Sequence, residues 1–342
     1  MSGDSAQISA YAAYRLRWRR RGLLWRSFRS RRQLRPVKNR TAGIRPGAIL
    51  AFSTIRNEIE RMPWFLDHHR KLGVDHFLIV ENDSDDGTDR YLAAQADVSL
   101  WTTDRSYRDA RFGLDWVTWL QMRYAHDHWS LMVDTDEMLI YAQHETRPLQ
   151  ELTRWLEAQG HSVFGALMLD LYPKGPLDSQ QYESGDDPIS VLPWFDPGPY
   201  RVQRQHPLGN LWVQGGARER VFFANNPQRS PTLNKIPLVR WSRRYAYVNS
   251  CHSMLPRPLN FGYEGPGADA PSGVLLHTKF LPQSVKRATI EKARGQHFHA
   301  PDSFADYYDD VAAGPDMWSP ESIRYEGWRQ LERLGLMRTA GW

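Results

Sequence analysis

With a single cysteine in 342 residues, Cys251, the chain has no partner for an intramolecular disulfide and no CxxC pair for zinc or redox chemistry. Long apolar runs are missing as well. Clean stretches such as residues 78–80 and 274–276 fall far short of the ~18 residues a spanning helix needs. HExxH, GxxxxGK[ST] and GxSxG do not occur, which argues against zinc proteases, P-loop enzymes and nucleophile-elbow hydrolases. Acidic residues are scarce in one region only. Residues 1–47 hold thirteen Lys and Arg against Asp4 alone, a charge of +12; the remaining chain has thirty-one basic and thirty-eight acidic residues, or −7. The overall +5 is therefore carried by one end, over an acidic body. A nucleic-acid binder gathers its basic groups on the folded surface, so no nucleic-acid partner is expected.

What is present is ordinary globular material, 41% hydrophobic and 24% charged, enough to bury a core unaided. The basic segment lacks the apolar stretch and small-residue cleavage site of a secretory leader. Tyr14, Leu16, Trp18, Leu23, Leu24, Trp25 and Phe28 are interleaved with its arginines. Two readings stay open: an interfacial helix drawn to an anionic membrane surface, or a partly disordered basic extension. The first implies a cytoplasmic protein held peripherally on the inner face of the membrane.

Order is expected from Ala48, giving a basic tail over 1–47 and one domain over 48–342. Residues 48–52 read as a buried strand, and 59–72 as a helix closed by Gly73. Strands follow at 74–80, 98–101 and 129–133, with helices at 88–95 and 112–123 between them. Strand and helix in alternation imply a mostly parallel α/β sheet with helices on its faces. Residues 48–141 form the nucleotide-binding half on this reading, and 142–342 a looser acceptor-side half. There, 149–158 reads as helix, 163–169 as strand, and 172–216 as a long Pro/Gly-rich loop. Short strands are expected near Val221, Val239, Tyr247 and Leu275. Closing helices are expected near 284–294 and 320–334, the second capped by Ser319, with Pro320 at its first position and Gly335 beyond its end.

Ligands of such sheets sit beyond the carboxyl ends of the strands, where three polar clusters fall. Asp134-Thr135-Asp136-Glu137 follows the strand at 129–133, and carboxylates at i and i+2 there can converge on one hard cation, Mn2+ or Mg2+, whose shell a phosphate completes. Asn82-Asp83-Ser84-Asp85-Asp86-Gly87-Thr88 alternates acids as a calcium loop does. The twelfth position from Asp83 is Ala94, however, where a calcium loop needs a bidentate Glu. The remaining readings are a plain turn capping the next helix and a turn whose Asn and Asp side chains bond a nucleoside. Gly265-Pro266-Gly267-Ala268-Asp269-Ala270 fits GxGxxA, yet no strand precedes it and no helix follows, so it reads as a loop. His277 emerges from the apolar run 274–276, with Lys279 nearby. It is expected to complete the metal shell or contact the diphosphate, against the simpler reading of a satisfied core histidine.

Taken in order, Ser53-Thr54-Ile55-Arg56-Asn57-Glu58, residues 82–88 and residues 134–137 resemble the successive signatures of family 2-like glycosyltransferases, in the branch related to glycosyltransferase family 92. The similarity extends more weakly through residues 215–220, 235–238, 251–252 and 275–280, covering about 48–335. The resemblance implies a Rossmann-like GT-A fold, a nucleotide-sugar donor, a divalent metal and an inverting transfer to a glycan or lipid-linked acceptor. By the same likeness Arg56, Asn57 and Glu58 lie by the nucleotide, Asn82, Asp83 and Asp85 by its base or ribose, and Asp134 and Asp136 hold metal and diphosphate. Guanidinium forks suit phosphate, which gives Arg218 and Arg220 a part in donor binding beside Lys279. With Asp134 and Asp136 committed to metal, the base that deprotonates the acceptor is expected at Asp170, with Glu219 as rival. Paired carboxylates also serve nucleotidyltransferases and phosphohydrolases, and a non-catalytic GT-A-like binding protein is a third reading.

Overall fold

The computed structural model describes residues 7–283, 285 and 305–342. Its centre is a nine-stranded sheet. β1 is Arg35–Lys38, β2 Ile49–Ile55, β3 His76–Glu81, β4 Val98–Thr102, β5 Trp129–Met132, β6 Glu137–Ile140 and β7 Val163–Asp170. Two later strands, Asn234–Arg240 and Ser272–His277, complete it. The spatial order is β1, β4, β3, β2, β5, Asn234–Arg240, β7, Ser272–His277, β6. Tracing the pairings, β4, β3, β2, β5, β7 and Ser272–His277 run one way, while β1, Asn234–Arg240 and β6 run against them. The sheet is therefore mostly parallel, as the alternating pattern predicts.

Both faces are covered, and the two-residue period of a strand divides the side chains between them. Ile49, Ala51, Phe77 and Ile79 pack under α2 (Met62–Lys71), α3 (Thr88–Ala94) and α5 (Leu149–Ala158). Leu50, Phe52, Leu78 and Val80 face the opposite way, under Leu114, Trp116, Val117 and Leu120 of α4 (Leu114–Tyr124). Burial on both faces is why these strands read as unbroken apolar runs. Further along the sheet Ile140, Leu167, Leu169 and Leu276 share a third cluster with Phe195, Val213 and Leu331 from the second half of the chain.

Several expectations are corrected. Order begins well before Ala48: α1 (Ala10–Ser30) lies on α4, and β1 pairs with β4 as an antiparallel edge strand. Phe28 meets Trp119 edge-on at 5.8 Å, Arg26 pairs with Asp115 at 3.1 Å, and Trp116 donates to Gln33 at 2.6 Å. The stretch near Val221 is the helix Gly216–Phe222, not a strand. The last helix is only Trp328–Arg333, preceded by the short strand Ile323–Arg324. Pro320 does not start a helix, although Gly335 takes the left-handed conformation (φ 71°) expected just past a helix end. Within 172–216 the chain is not all loop: Tyr200–Arg204 and Leu211–Gly215 form a hairpin. The helix expected near 284–294 falls outside the described residues.

Candidate active site

The polar clusters meet at one end of the sheet because parallel strands deliver their carboxyl ends to one edge. β2 runs into Arg56-Asn57-Glu58 and β3 into residues 82–88, and these two turns interlock. Asn57 Nδ2 donates to Asp85 at 2.9 Å, and Asp85 N returns a bond to Asn57 Oδ1 at 3.0 Å. Asn57 N donates to Ser84 Oγ, Glu58 N to Thr88 Oγ1 and Ile59 N to Asp86, at 3.0, 3.0 and 3.1 Å. Asn57 and Asp83 both have positive φ, 52° and 60°. Asn and Asp tolerate that region better than other non-glycine residues.

The roles inside these turns differ by burial. Asn82 is buried and donates to the carbonyls of Thr103 and Arg105, so it ties the turn to the next strand. Arg56, Asp83 and Asp85 lie at the rim, where Arg56 Nη1 reaches Asp83 at 3.4 Å.

The metal-type cluster is built by register. His277 ends its strand opposite Asp170 of β7 on one side and Glu137 of β6 on the other. Its Nε2 lies 3.2 Å from Asp136 Oδ2 and its Nδ1 2.6 Å from Asp170 Oδ1. Arg218, buried on Gly216–Phe222, also donates to Asp170. Lys235 Nζ sits 2.5 Å from Glu137 and 3.2 Å from Asp134. Asp134 keeps half its side chain exposed, whereas Glu137 is fully inside.

Charge states follow from these contacts. Burial would lift the Asp136 carboxyl, but His277, Arg61 and Lys279 hold it well below the ordinary range. Burial likewise opposes Arg218 and His277 at Asp170, and the cations prevail, leaving it near 2. His277 is lowered by burial and raised more by Asp136 and Asp170, so the balance is upward. At Glu137 burial dominates over Lys235 and pushes the acid up to about 7.

The structure therefore brings Asp136, His277 and Asp170 together and sets Asp134 beside them through Lys235. It does not bring Arg220 or Glu219 into that cluster. Arg220 is clamped by Asp196 (2.9 and 3.0 Å) and the Met317 carbonyl (2.7 Å). Glu219 forms a bidentate pair with Arg201 at 2.5 and 2.6 Å, not with the arginines flanking it in sequence. The reason is helical: residues adjacent in a helix point about 100° apart. Lys279 extends over the Tyr307 ring at 5.2 Å.

Two residues of the site escape sequence reasoning. Arg61 is buried just before α2, bonds Glu58 at 3.1 Å and approaches the Thr278 carbonyl at 3.5 Å, joining the nucleotide turn to the Asp136 cluster. Its i, i+3 spacing from Glu58 is the one available sequence signal. Lys235 lies in the weakly similar stretch 235–238, but no local spacing marks its role, since its partners Asp134 and Glu137 lie about a hundred residues away.

Among the described residues no three His, Cys, Asp or Glu side chains form a ready-made metal shell. The donors nonetheless fit a hard divalent cation of the kind held by one or two carboxylates and finished by phosphate oxygens. Asp134 and Asp136 supply hard oxygens, while both ring nitrogens of His277 are engaged by Asp136 and Asp170. The Nε groups of Arg61 and Arg218 are buried with no hydrogen-bond partner among the described residues, leaving spare donors for an anion.

No protein-family model matches the chain, and no curated protein matches it in sequence. Among solved structures it is similar to the mannosyltransferase PcManGT from Pyrobaculum calidifontis in complex with GDP-Man and Mn2+, at 18% identity and TM-score 0.25, over 49% of this chain and 48% of that one. The chain thus spans about half the length of that enzyme. It is also similar to a Bacillus anthracis protein assigned as a glucose-1-phosphate thymidylyltransferase, at 9% identity and TM-score 0.29, over 84% and 93% of the two chains. A third is the UTP-bound UGPase from Acinetobacter baumannii, at 8% identity and TM-score 0.28, over 77% and 82%. Likenesses at these scores add no argument to what the sheet itself shows. The class stands on the topology: a mixed α/β protein with a large, mostly parallel sheet between helices, consistent with a Rossmann-like GT-A fold.

Proposed function

We propose that this chain is a glycosyltransferase of the family 2-like group, related to family 92, that moves a sugar from a nucleotide-sugar donor to a glycan or lipid-linked acceptor. The observation that carries the proposal is the 3.2 Å approach of His277 to Asp136 at the sheet end where Asp134 stands exposed, directly linked through Arg61 to the Glu58 turn. On this reading Arg56, Asn57, Glu58, Asp83 and Asp85 receive the nucleoside, with Asn82 bracing their turn. Asp134 and Asp136 hold Mn2+ or Mg2+. The cation supplies the positive charge that offsets the departing nucleoside diphosphate.

The chain's own cations extend that compensation. Arg61, Arg218 and Lys279 all surround Asp136 and can face a diphosphate bound there. Asp170 takes a role other than the base expected from sequence. A carboxyl held near 2 has little appetite for an acceptor proton at neutral pH, and its contacts suit it to orienting His277 and neutralising Arg218. Glu219 remains the candidate base for an inverting transfer, its pairing with the half-exposed Arg201 being the contact an acceptor would have to loosen.

That pairing also favours a second reading. A nucleotidyltransferase that couples a nucleotide to a sugar phosphate attacks with an oxygen already charged, and needs no carboxylate to deprotonate it. Thermal denaturation with Mn2+ and UDP or GDP tests the shared part of both readings. One of the nucleotides raises Tm in the native chain and fails to do so in Asp136→Ala; an equal shift in the variant overturns the donor site.

A further inference from the structure

The α1 helix has two sides of different chemistry. Leu16, Ser27 and Ser30 are buried toward the body of the protein. At 100° per residue, Tyr11, Tyr14, Trp18, Arg21, Trp25 and Arg29 fall within an arc of about 80° on the other side. Four aromatics in that arc are exposed: Tyr11 by 69%, Tyr14 by 54%, Trp18 by 51% and Trp25 by 60%. Such exposure of large rings in a row is unusual for a surface that faces only water. The rings are already interleaved with cations, Arg21 lying 4.9 Å over Trp18 and Arg15 5.9 Å over Tyr11. No acidic residue occurs anywhere in the helix.

Beside the end of this stripe is a cavity of about 490 Å3 lined by Trp25, Arg26, Arg29, Arg32, Arg105 and the acids Asp109 and Asp115, among others. Arg26 is spent on Asp115, and Arg105 lies 3.6 Å from Asp104. Arg29 and Arg32 form no ion pair with any described residue. One ring, Trp25, belongs to both features.

We propose that α1 lies flat on an anionic lipid bilayer, with its aromatic stripe in the interface and an anionic lipid headgroup in the arginine-lined cavity beside Trp25. Tyr and Trp are the rings that settle at the level of headgroups, with arginines on the polar flank. Charge complementarity gives the direction: the +12 segment is drawn to the surface while the −7 body is repelled from it. The opposite side of α1 is fixed on α4, so docking needs no unfolding. Among the described residues no helix is long and apolar enough to cross a membrane, so α1 rests on the surface. The proposal does not depend on the activity assigned above, since donor hydrolysis is read separately.

Removing residues 1–45 would strip Trp116 and Trp119 of their cover, so point variants of the full chain are the better probe. Co-sedimentation is measured with vesicles of phosphatidylcholine alone and of phosphatidylcholine mixed with phosphatidylglycerol. The chain should bind the mixed vesicles, release as salt rises, and ignore the neutral ones. Trp18→Ala with Trp25→Ala should weaken binding about tenfold through lost apolar burial. Arg29→Gln with Arg32→Gln should weaken it about fivefold per arginine, while the circular dichroism spectrum stays that of the native chain. Equal binding to neutral vesicles, or native binding by both double variants, overturns the proposal. So does a preference for duplex DNA or RNA over the mixed vesicles at matched phosphate. Release by inorganic phosphate at the concentration of lipid phosphate would assign the cavity to the free anion and overturn the headgroup site.

Discussion

Replacing Lys235 by Met isolates the charge balance on which the candidate site is built. The ammonium lies 2.5 Å from Glu137, and both side chains are almost wholly buried, at 4% and 1% exposure. At that distance and an effective dielectric near 20 the attraction is about 7 kcal/mol, most of it offsetting the cost of desolvating two ions. Methionine fills similar volume but leaves Glu137 buried with Asp134 and Asp136 as neighbours and no cation beside it. Loss of one partner from a buried pair costs about 3–5 kcal/mol. Glu137→Gln added to Lys235→Met removes the buried acid, together with the charge it carries or the proton it must take up once Lys235 is gone, and keeps an acceptor for the Asp134 amide, which bonds Glu137 at 3.2 Å. The double variant should therefore recover about 2 kcal/mol or more over Lys235→Met alone, the rest being the cost of unpaired amide donors. Urea denaturation reads this as a fall in midpoint for Lys235→Met and a partial return in the double variant, at unchanged slope. Strictly additive effects of the two substitutions would refute the pair as a coupled unit.

Asp170→Asn should destabilise the protein by about 3–5 kcal/mol, because buried Arg218 and His277 lose their shared anion. If Asp170 positions His277, this variant lowers turnover without the flattened acid limb expected from loss of a base; a pH–rate profile separates the two. Gly165→Ala places a methyl group 2.2 Å from Tyr263 Cβ in the middle of β7, an overlap that should lower stability by roughly 1–3 kcal/mol. A Tm equal to that of the native chain would show that the Tyr263 ring can shift.

The nucleotide-binding half is legible in the sequence because its strands are buried on both faces and its helices on one. Residues 149–158 match α5 end to end, β3 to β5 fall within two residues of expectation, and β2 runs three residues further than expected. The tail is less legible: α1 buries little more than Leu16, Ser27 and Ser30 through small contacts, so its composition hides its docking. The helix at Gly216–Phe222 is obscured by two glycines at positive φ, 139° and 68°, which sequence patterns read as a loop. At the site, short motifs mark Asp134, Asp136 and the two interlocked turns. The pairing of Asp170 with His277 is set by strand register, those of Arg218 and Glu219 by where the helix Gly216–Phe222 lies, and that of Lys235 by the crossing of distant segments, and no local pattern encodes them.

The central claim is that the Asp136 cluster binds a nucleotide-sugar donor for transfer. Release of nucleoside diphosphate from a panel of nucleotide sugars, with Mn2+ or Mg2+ and again after chelation, tests it most directly. The account predicts metal-dependent release of nucleoside diphosphate from at least one donor, lost in Asp136→Ala. Cleavage of nucleoside triphosphates to pyrophosphate by the native chain, with no nucleotide sugar consumed, would contradict it.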